Sequence, residues 1–356
     1  MLLIKHITAA VFAALLAVLR VGAAQSQEAD QTSFHIAERW PVGGTGNWDY
    51  LALDASGRRL FVTREDRVDV FDTASGAKVG TIADTPGVHG VALASRLKRG
   101  YTSNGRTAAV TAFDLATLRT LKTGKVSGTN PDAIVFEPVG KHVFTFNGGS
   151  SNASVLDAMT LEVVATIALP DKPEFAVADG AGHVFVNIQS ERGQMVVIDA
   201  RALAVVSTWR LPGCARPTGL ALDRAHKRLF SVCGAKVMVV TDAASGRNVA
   251  RVAIGEHPDG AAFDAGLGLV FSSNGDGTLT VIHQDDADHY RVVATQPTQK
   301  SARTLAVDAA AHRIYLVAAD FGPIPQPTAE EPRPRGPMLP DSFTVLVAAL
   351  RRAPGI

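Results

Sequence analysis

Seven copies of one short segment are spread along this 356-residue chain, and that repetition limits the fold more than any local property does. The copies open WDYLALD (48–54), VHGVALA (88–94), PDAIVFE (131–137), PEFAVAD (173–179), PTGLALD (217–223), PDGAAFD (258–264) and ARTLAVD (302–308). Each reads as a short inner strand. A second strand follows in every copy, centred on Phe61, Tyr101, Phe144, Phe185, Phe230, Phe271 and Tyr315, at spacings of 40 to 45 residues. A third ends at Asp72, Asp114, Asp157, Asp199, Asp242 and His283, spaced 41 to 43 residues apart. Three markers with one period predict radial repetition of four-stranded units, an all-β seven-bladed β-propeller. Sparse aromatics (6%) and plentiful Gly (32) and Pro (18) suit many short strands joined by tight turns.

The segments Asp-Thr-Ala-Ser-Gly (72–76) and Asp-Ala-Ala-Ser-Gly (242–246) are hairpin turns into the fourth strands. Their aspartates are read as turn formers, because a carboxylate there bonds amides two residues on while Gly accepts positive φ. With these in place, LFVTR (60–64), GYTSN (100–104), VFTFN (143–147) and VFSSN (270–274) resemble the YVTN signature, which a VxVxD strand and a turn follow. The chain thus resembles the YVTN-repeat propellers over residues 34–350. The resemblance implies the architecture and leaves activity open, since such proteins share a blade framework while their roles differ. The seventh copy lacks a fourth strand, for only six residues follow Leu350. Phe34 to Val42 (FHIAERWPV) resembles the fourth strands elsewhere, so the N-terminus is expected to complete the last blade and remove an open sheet edge.

Before the repeats, Lys5 and His6 precede an apolar run from Ile7 to Leu19, and Gly22, Ala23 and Ala24 follow. This is the form of a secretory signal peptide. Only fourteen residues separate Lys5 from Arg20, fewer than the ~20 a spanning helix requires. The expected organisation is a signal peptide (1–24), a polar tether (25–33), the propeller (34–350) with an insertion at 320–341, and a tail (351–356), in a periplasmic or secreted monomer. Cleavage leaves 33 basic against 34 acidic residues, and no basic stripe is interleaved with aromatics, so nucleic acid is a poor partner. In an exported chain the two cysteines, Cys214 and Cys233, both near the ends of adjacent strands, are expected to form a disulfide.

In a propeller, the loop entering each inner strand and the end of the second strand share one face, around the channel mouth. The first position holds Asp49, His89, Asp132, Glu174, Thr218, Asp259 and Arg303. The second holds Arg64, Asn104, Asn147, Ile188, Cys233, Asn274 and Ala318, with Asn187 read as shifted by a shorter turn in the fourth copy. The candidate ligand-binding set is therefore Asp49, His89, Asp132, Glu174, Asp259, Arg303, Arg64, Asn104, Asn147 and Asn274. Within it, His89, Asp132, Glu174 and Asp259, with neighbouring His257, are candidates for a divalent metal, since carboxylates suit hard cations and imidazole widens the choice. The competing reading has these side chains bonding adjacent blades or ordering channel water. His142, His183, His226 and His312 fall in turns on the opposite face and are read as solvated.

The insertion DFGPIPQPTAEEPRPRGPMLPD (320–341) carries seven prolines, so an extended loop beside the mouth is expected in place of helix or strand. No phosphate-binding Gly loop, Cys-x-x-Cys metal pattern, haem motif or GxSxG elbow occurs. The leading reading is a binding or interaction module for a small ligand or an envelope protein. Its rivals are a propeller hydrolase, lactonase or lyase using the His89 and carboxylate ring, and a structural scaffold. The intact mass of the exported form should begin near Ala24 or Gln25; a membrane-bound chain that retains Met1 would overturn the export reading.

Overall fold

The computed structural model describes residues 33–328, 334 and 336–351. The expected signal peptide, residues 25–32 of the tether and 352–356 of the tail lie outside the described residues. The rest forms seven four-stranded antiparallel sheets arranged as a β-propeller. Blade 1 runs through Leu51–Leu53, Arg59–Arg64, Arg67–Asp72 and Lys78–Ile82, and five further blades repeat this inner-to-outer order. The innermost strands touch their neighbours around the complete ring, including blade 7 to blade 1. No helix among the described residues is long and apolar enough to cross a membrane.

Radial packing explains the composition of each strand. Second and third strands are sandwiched between neighbouring blades and are buried on both faces, as in His142–Asn147 and Asn152–Asp157. They accordingly read as nearly continuous apolar runs. Fourth strands such as Thr120–Lys125 lie at the rim and are largely exposed. The marker aromatics Phe61, Tyr101, Phe144, Phe185, Phe230, Phe271 and Tyr315 are all at most 2% exposed, one per blade. Each contributes about 1.5–3 kcal/mol by burial.

The turns behave as the residues require. Asp72 Oδ1 accepts the amides of Ala74 and Ser75, and Asp114, Asp157, Asp199 and Asp242 repeat the pattern. At Gly76 and Gly246 the backbone has φ of 69° and 74°, and a Cβ would strike the rings of Trp40 and Trp209. Those tryptophans belong to the outer strand of the preceding blade, so the turn glycine also lets neighbouring blades close on each other. Three of the histidines read as solvated also bond carboxylates: His183 bonds Asp179, the exposed His226 bonds Asp223, and His312 reaches Asp264 of the neighbouring blade at 2.7 Å. The reason is a second row of turn carboxylates at the ends of the inner strands, which the histidines complete. His142 is half-buried, and its Nδ1 is buried without a hydrogen bond.

Cys214 and Cys233 form the expected disulfide, with Cα atoms 5.2 Å apart. Closing so short a loop contributes roughly 3 kcal/mol through the entropy of the unfolded chain. Blade 7 is assembled from both ends of the chain. Phe34–Pro41 pairs antiparallel with Thr344–Leu350, with Phe34 opposite Leu350 and Pro41 opposite Thr344. Phe34 sets its ring edge-on to Phe271 of blade 6 at 5.2 Å, while Trp40 lies 5.7 Å from Tyr315. Deleting residues 34–41 removes a whole ladder and two buried aromatics. The expected result is a fall in melting midpoint of more than about 10 °C, with loss of a single cooperative transition, measured by calorimetry. A truncated chain that melts like the parent would show that the ring does not need this strand.

Candidate functional site

The side chains at the channel mouth are re-aimed by irregular ladders. In blades 2 to 6 the pairing of the inner strand with the second strand shifts at its first residues, between Val88 and Val91, Pro131 and Ile134, Pro173 and Ala176, Pro217 and Leu220, and Pro258 and Gly260. Each irregular stretch contains one mouth residue: His89, Asp132, Glu174, Thr218 or Asp259. Bulges of this kind turn a side chain away from the sheet and end pairing. In blades 1 and 7 the inner strands start later, and Asp49 and Arg303 precede them.

Neighbouring blades are joined at this level through the backbone of the mouth residues. The His89 carbonyl accepts the Tyr50 amide at 3.1 Å, and the Asp132 carbonyl accepts the Ser103 hydroxyl. Likewise the Thr218, Arg303 and Asp49 carbonyls accept Asn187 Nδ2, Ser273 Oγ and Thr304 Oγ1. Carbonyls thus carry part of the joining between blades, and side chains carry the rest: His89 meets Asp49, Arg303 meets Asp259, and Thr218 Oγ1 donates to the Pro258 carbonyl at 2.8 Å, as the competing reading expected. Asn187 is not displaced by a short turn: Ile188 pairs with Pro173 as its counterparts do, and Asn187 faces the next blade.

A cavity of about 460 Å³ occupies the mouth, lined among others by Asp49, Tyr50, Asp132, Lys172, Glu174, Asp259 and Arg303. Tyr50 contributes an aromatic ring to its lining. Tyr50 of blade 1 and Phe175 of blade 4 meet edge to face with ring centroids 4.8 Å apart, a contact that requires both rings to cross the lumen. Burial pushes the Tyr50 hydroxyl well up, and the surrounding carboxylates, Asp132 first, push it further.

Charges on the wall are sorted into pairs. Lys172 Nζ lies 2.9 Å from Glu174 Oε2, and Arg303 Nε lies 2.9 Å from Asp259 Oδ2. His89 Nδ1 lies 2.7 Å from Asp49 Oδ2 and 3.8 Å from Asp132 Oδ1. Burial by itself lowers the His89 imidazole, but the bond to Asp49 and the charges of Asp132 and Asp49 outweigh it and raise the group to about 9. Asp132 is raised by burial, then by Asp49 and Glu174, with His89 and Lys172 opposing. Glu174 is raised by burial against the pull of Lys172. Burial lowers Lys172 and Arg303, but Glu174 and Asp259 respectively outweigh it and raise them. Crowded carboxylates disfavour one another's ionisation, and the cations are placed where they relieve this.

The structure separates the sequence-predicted set into two groups. Asp49, His89, Asp132, Glu174, Asp259 and Arg303 converge on the mouth. Arg64, Asn104, Asn147 and Asn274 do not; all four are at most 1% exposed. Asn104 donates to Thr111 Oγ1, Asn147 to Asn152 and Ser154, and Asn274 to Thr278 and Thr280, each within its own blade. Arg64 stacks its guanidinium 3.7 Å from the Phe343 ring centroid and donates to the carbonyls of Gly43, Thr45 and Gly46. Burial, and then Arg67, lower it to about 10. Nor does the expected metal set assemble as a whole, because Glu174 and Asp259 are taken by cations while Asp49 joins His89 and Asp132.

Tyr50 and Lys172 were not anticipated. Lys172 belongs to the row directly before the inner strand, with Asn130, Arg216 and His257, the last three in left-handed conformation with φ of 50° to 53°. A polar residue recurring before each Pro was the available signal. The long insertion is also more ordered at its base than its prolines suggest. Phe321 bridges Met338, and Gly322 and Leu339 amides bond Pro337 and Asp320 carbonyls at 2.8 Å. Phe321, Gly322, Ile324, Pro334 and Gly336 help line a second cavity of about 560 Å³, which shares His257 and Arg303 with the first. Residues 329–333 and 335 of the insertion lie outside the described residues.

No family model matches the chain, and no curated protein matches it. Among solved structures it is similar to Kuenenia stuttgartiensis hydrazine synthase, with 17% identity and a TM-score of 0.69, over 77% of this chain and 94% of that one. It is also similar to U3-55K, with 11% identity and a TM-score of 0.71, over 88% of this chain and 98% of that one. Likeness at this distance is one of fold, and activity must be argued from the site. For Arg64, Arg64→Met should cost about 2–4 kcal/mol in chemical denaturation, because it leaves buried carbonyls without a donor. Ligand affinity at the mouth should not change, whereas a mouth role for Arg64 would give the opposite pattern.

Proposed function

We propose that this protein is a binding propeller of the exported YVTN-repeat kind, which holds a small hydroxyl-rich or cationic molecule in the cavity at its channel mouth. One observation carries the reading: Asp49, Asp132, Lys172, Glu174, Asp259 and Arg303, drawn from five blades, all line one cavity of about 460 Å³ at the mouth while backbone carbonyls share the joining of the blades behind them. The recess is lined by five carboxylates, Asp49, Asp132, Glu174, Glu256 and Asp259, against four Lys or Arg side chains, a concave site whose convergent polar groups can orient a small molecule. The excess of acid on the His89 side favours ligands that donate hydrogen bonds or carry positive charge.

Catalysis by His89 as a general base is the weaker reading. Against burial, the bond to Asp49 and the charges of Asp132 and Asp49 raise the His89 imidazole to about 9, which in the absence of another cation favours the protonated ring over the free base that proton abstraction needs. The apolar cavity beside the insertion adds room for a hydrophobic substituent on the same ligand, since both cavities share Arg303 and His257.

A thermal-shift panel of sugars, polyols and diamines tests the proposal, because a ligand that binds only the folded state raises its stability, by about 2.7 kcal/mol at 100-fold excess over Kd. At least one class should raise the midpoint. Glu174→Gln keeps shape but removes the charge that Lys172 faces, and should weaken that ligand at least tenfold, or about 1.4 kcal/mol, with little change in melting of the free protein. If no class stabilises the parent, or Glu174→Gln binds as before, the ligand site is elsewhere.

A further inference from the structure

The three mouth side chains contributed by blades 1, 2 and 3 form a set that the ion pairs of the remaining wall do not complete. Asp49, His89 and Asp132 present one carboxylate oxygen, one imidazole nitrogen and a second carboxylate oxygen, all within 4.8 Å of one another. Two of the separations, 2.7 Å and 3.8 Å, bracket the ~3.3–3.6 Å expected between tetrahedral donors that each lie 2.0–2.2 Å from one ion. We propose that Asp49, His89 and Asp132 bind a divalent first-row transition ion, Mn²⁺ or Zn²⁺, whose open coordination positions face the mouth cavity. This deepens the reading of the mouth as a binding site and rests on it.

The second, independent observation is the state of Asp132. The residue is 7% exposed, and its Oδ1 is buried and accepts no hydrogen bond. A buried carboxylate oxygen with nothing bonded to it is costly, and a cation is what such an oxygen is suited to hold. Glu174 Oε2 is likewise buried without a hydrogen bond, but it has the Lys172 ammonium at 2.9 Å, as Asp259 has Arg303, whereas the nearest cationic group to Asp132 Oδ1 is the shared His89 ring at 3.8 Å.

The donors are also held in place from behind. The backbone carbonyls of Asp49, His89 and Asp132 are fixed by Thr304, Tyr50 and Ser103. The Asn130 side chain bonds the His89 ring, and Asn130 Oδ1 and His89 Nε2 both face Gly105. A second partner on a ligating imidazole fixes its orientation and is the usual support for a metal-bound histidine. One nitrogen among two carboxylates favours Mn²⁺ or Zn²⁺ over Ca²⁺ and Mg²⁺, which prefer all-oxygen shells. Three protein donors leave positions for water or a ligand hydroxyl, which connects the ion to the hydroxyl-rich class proposed above.

The competing account is that the protonated imidazole of His89 is itself the cation between Asp49 and Asp132, with no metal involved. Titration of the chelator-stripped, full-length protein with MnCl₂, ZnCl₂ and CaCl₂, followed by calorimetry and by the Mn²⁺ electron paramagnetic resonance signal, decides between them. One Mn²⁺ or Zn²⁺ should bind per chain, with Ca²⁺ at least tenfold weaker. Asp132→Asn and His89→Gln should each lower affinity at least tenfold, whereas Asp157→Asn, at a surface turn, should not. Absence of binding to the parent at millimolar metal overturns the proposal whatever the variants do, and so does equal affinity in parent, Asp132→Asn and His89→Gln. Metal binding without any stabilising organic ligand would leave the ion site standing and remove the small-molecule reading; an organic ligand without metal would do the reverse.

Discussion

Closure of the ring is the constraint from which the rest follows. A propeller blade buries its second and third strands only if a blade stands on each side, so a gap anywhere would expose two apolar faces. Here the last gap is closed by pairing Phe34–Pro41 with Thr344–Leu350, which ties the first described strand to the last. Because the two strands are some 300 residues apart in the chain, the ladder joins its ends in the folded state alone. The seam is reinforced on both sides, by Phe34 against Phe271 of blade 6 and by Trp40 against Phe71 of blade 1.

A closed ring also creates the site. Seven inner strands arriving at one axis bring seven equivalent positions together, although each is about 40 residues from the next. The ladder irregularity at the start of the inner strand frees those side chains from the sheet, and the carbonyls behind them hold neighbouring blades in register. Backbone carbonyls of these residues thus serve the framework, while their side chains both line the mouth and, in the pairs His89–Asp49 and Arg303–Asp259, meet across blades. The backbone's share of the joining lets the mouth carry costly features, such as the buried oxygen of Asp132, without loosening the ring.

Electrostatics then divides the mouth into unequal halves. On the side of blades 4 to 7, Lys172 and Arg303 neutralise Glu174 and Asp259. On the side of blades 1 to 3, two carboxylates share one imidazole. Burial, and then the charges of Asp49 and Glu174, raise the Asp132 carboxyl, and it is here that an external cation or hydrogen-bond donor gains most.

Repetition made the fold legible in the sequence. The inner-strand openings and the aromatic markers from Phe61 to Tyr315 recur once in each blade and the turn aspartates in five of the seven, because each blade solves the same packing problem with similar residues. The closing strand could be read for the same reason, as the missing fourth member of the last copy. The disulfide followed from two cysteines at adjacent strand ends. What repetition conveys is position along a blade, and the mouth positions were legible to that extent. Which way a side chain turns, and what it meets, depends on the neighbouring blade. Asn104, Asn147 and Asn274 occupy mouth-level positions yet turn back into their own hairpins, and Arg64 is drawn under Phe343 by loop carbonyls that no repeat predicts. The sharing of carboxylates between Lys172, Arg303 and His89, and the meeting of Tyr50 with Phe175, bring together residues dozens to hundreds of positions apart. Only closure of the ring brings them within contact distance, and so only the tertiary structure decided them.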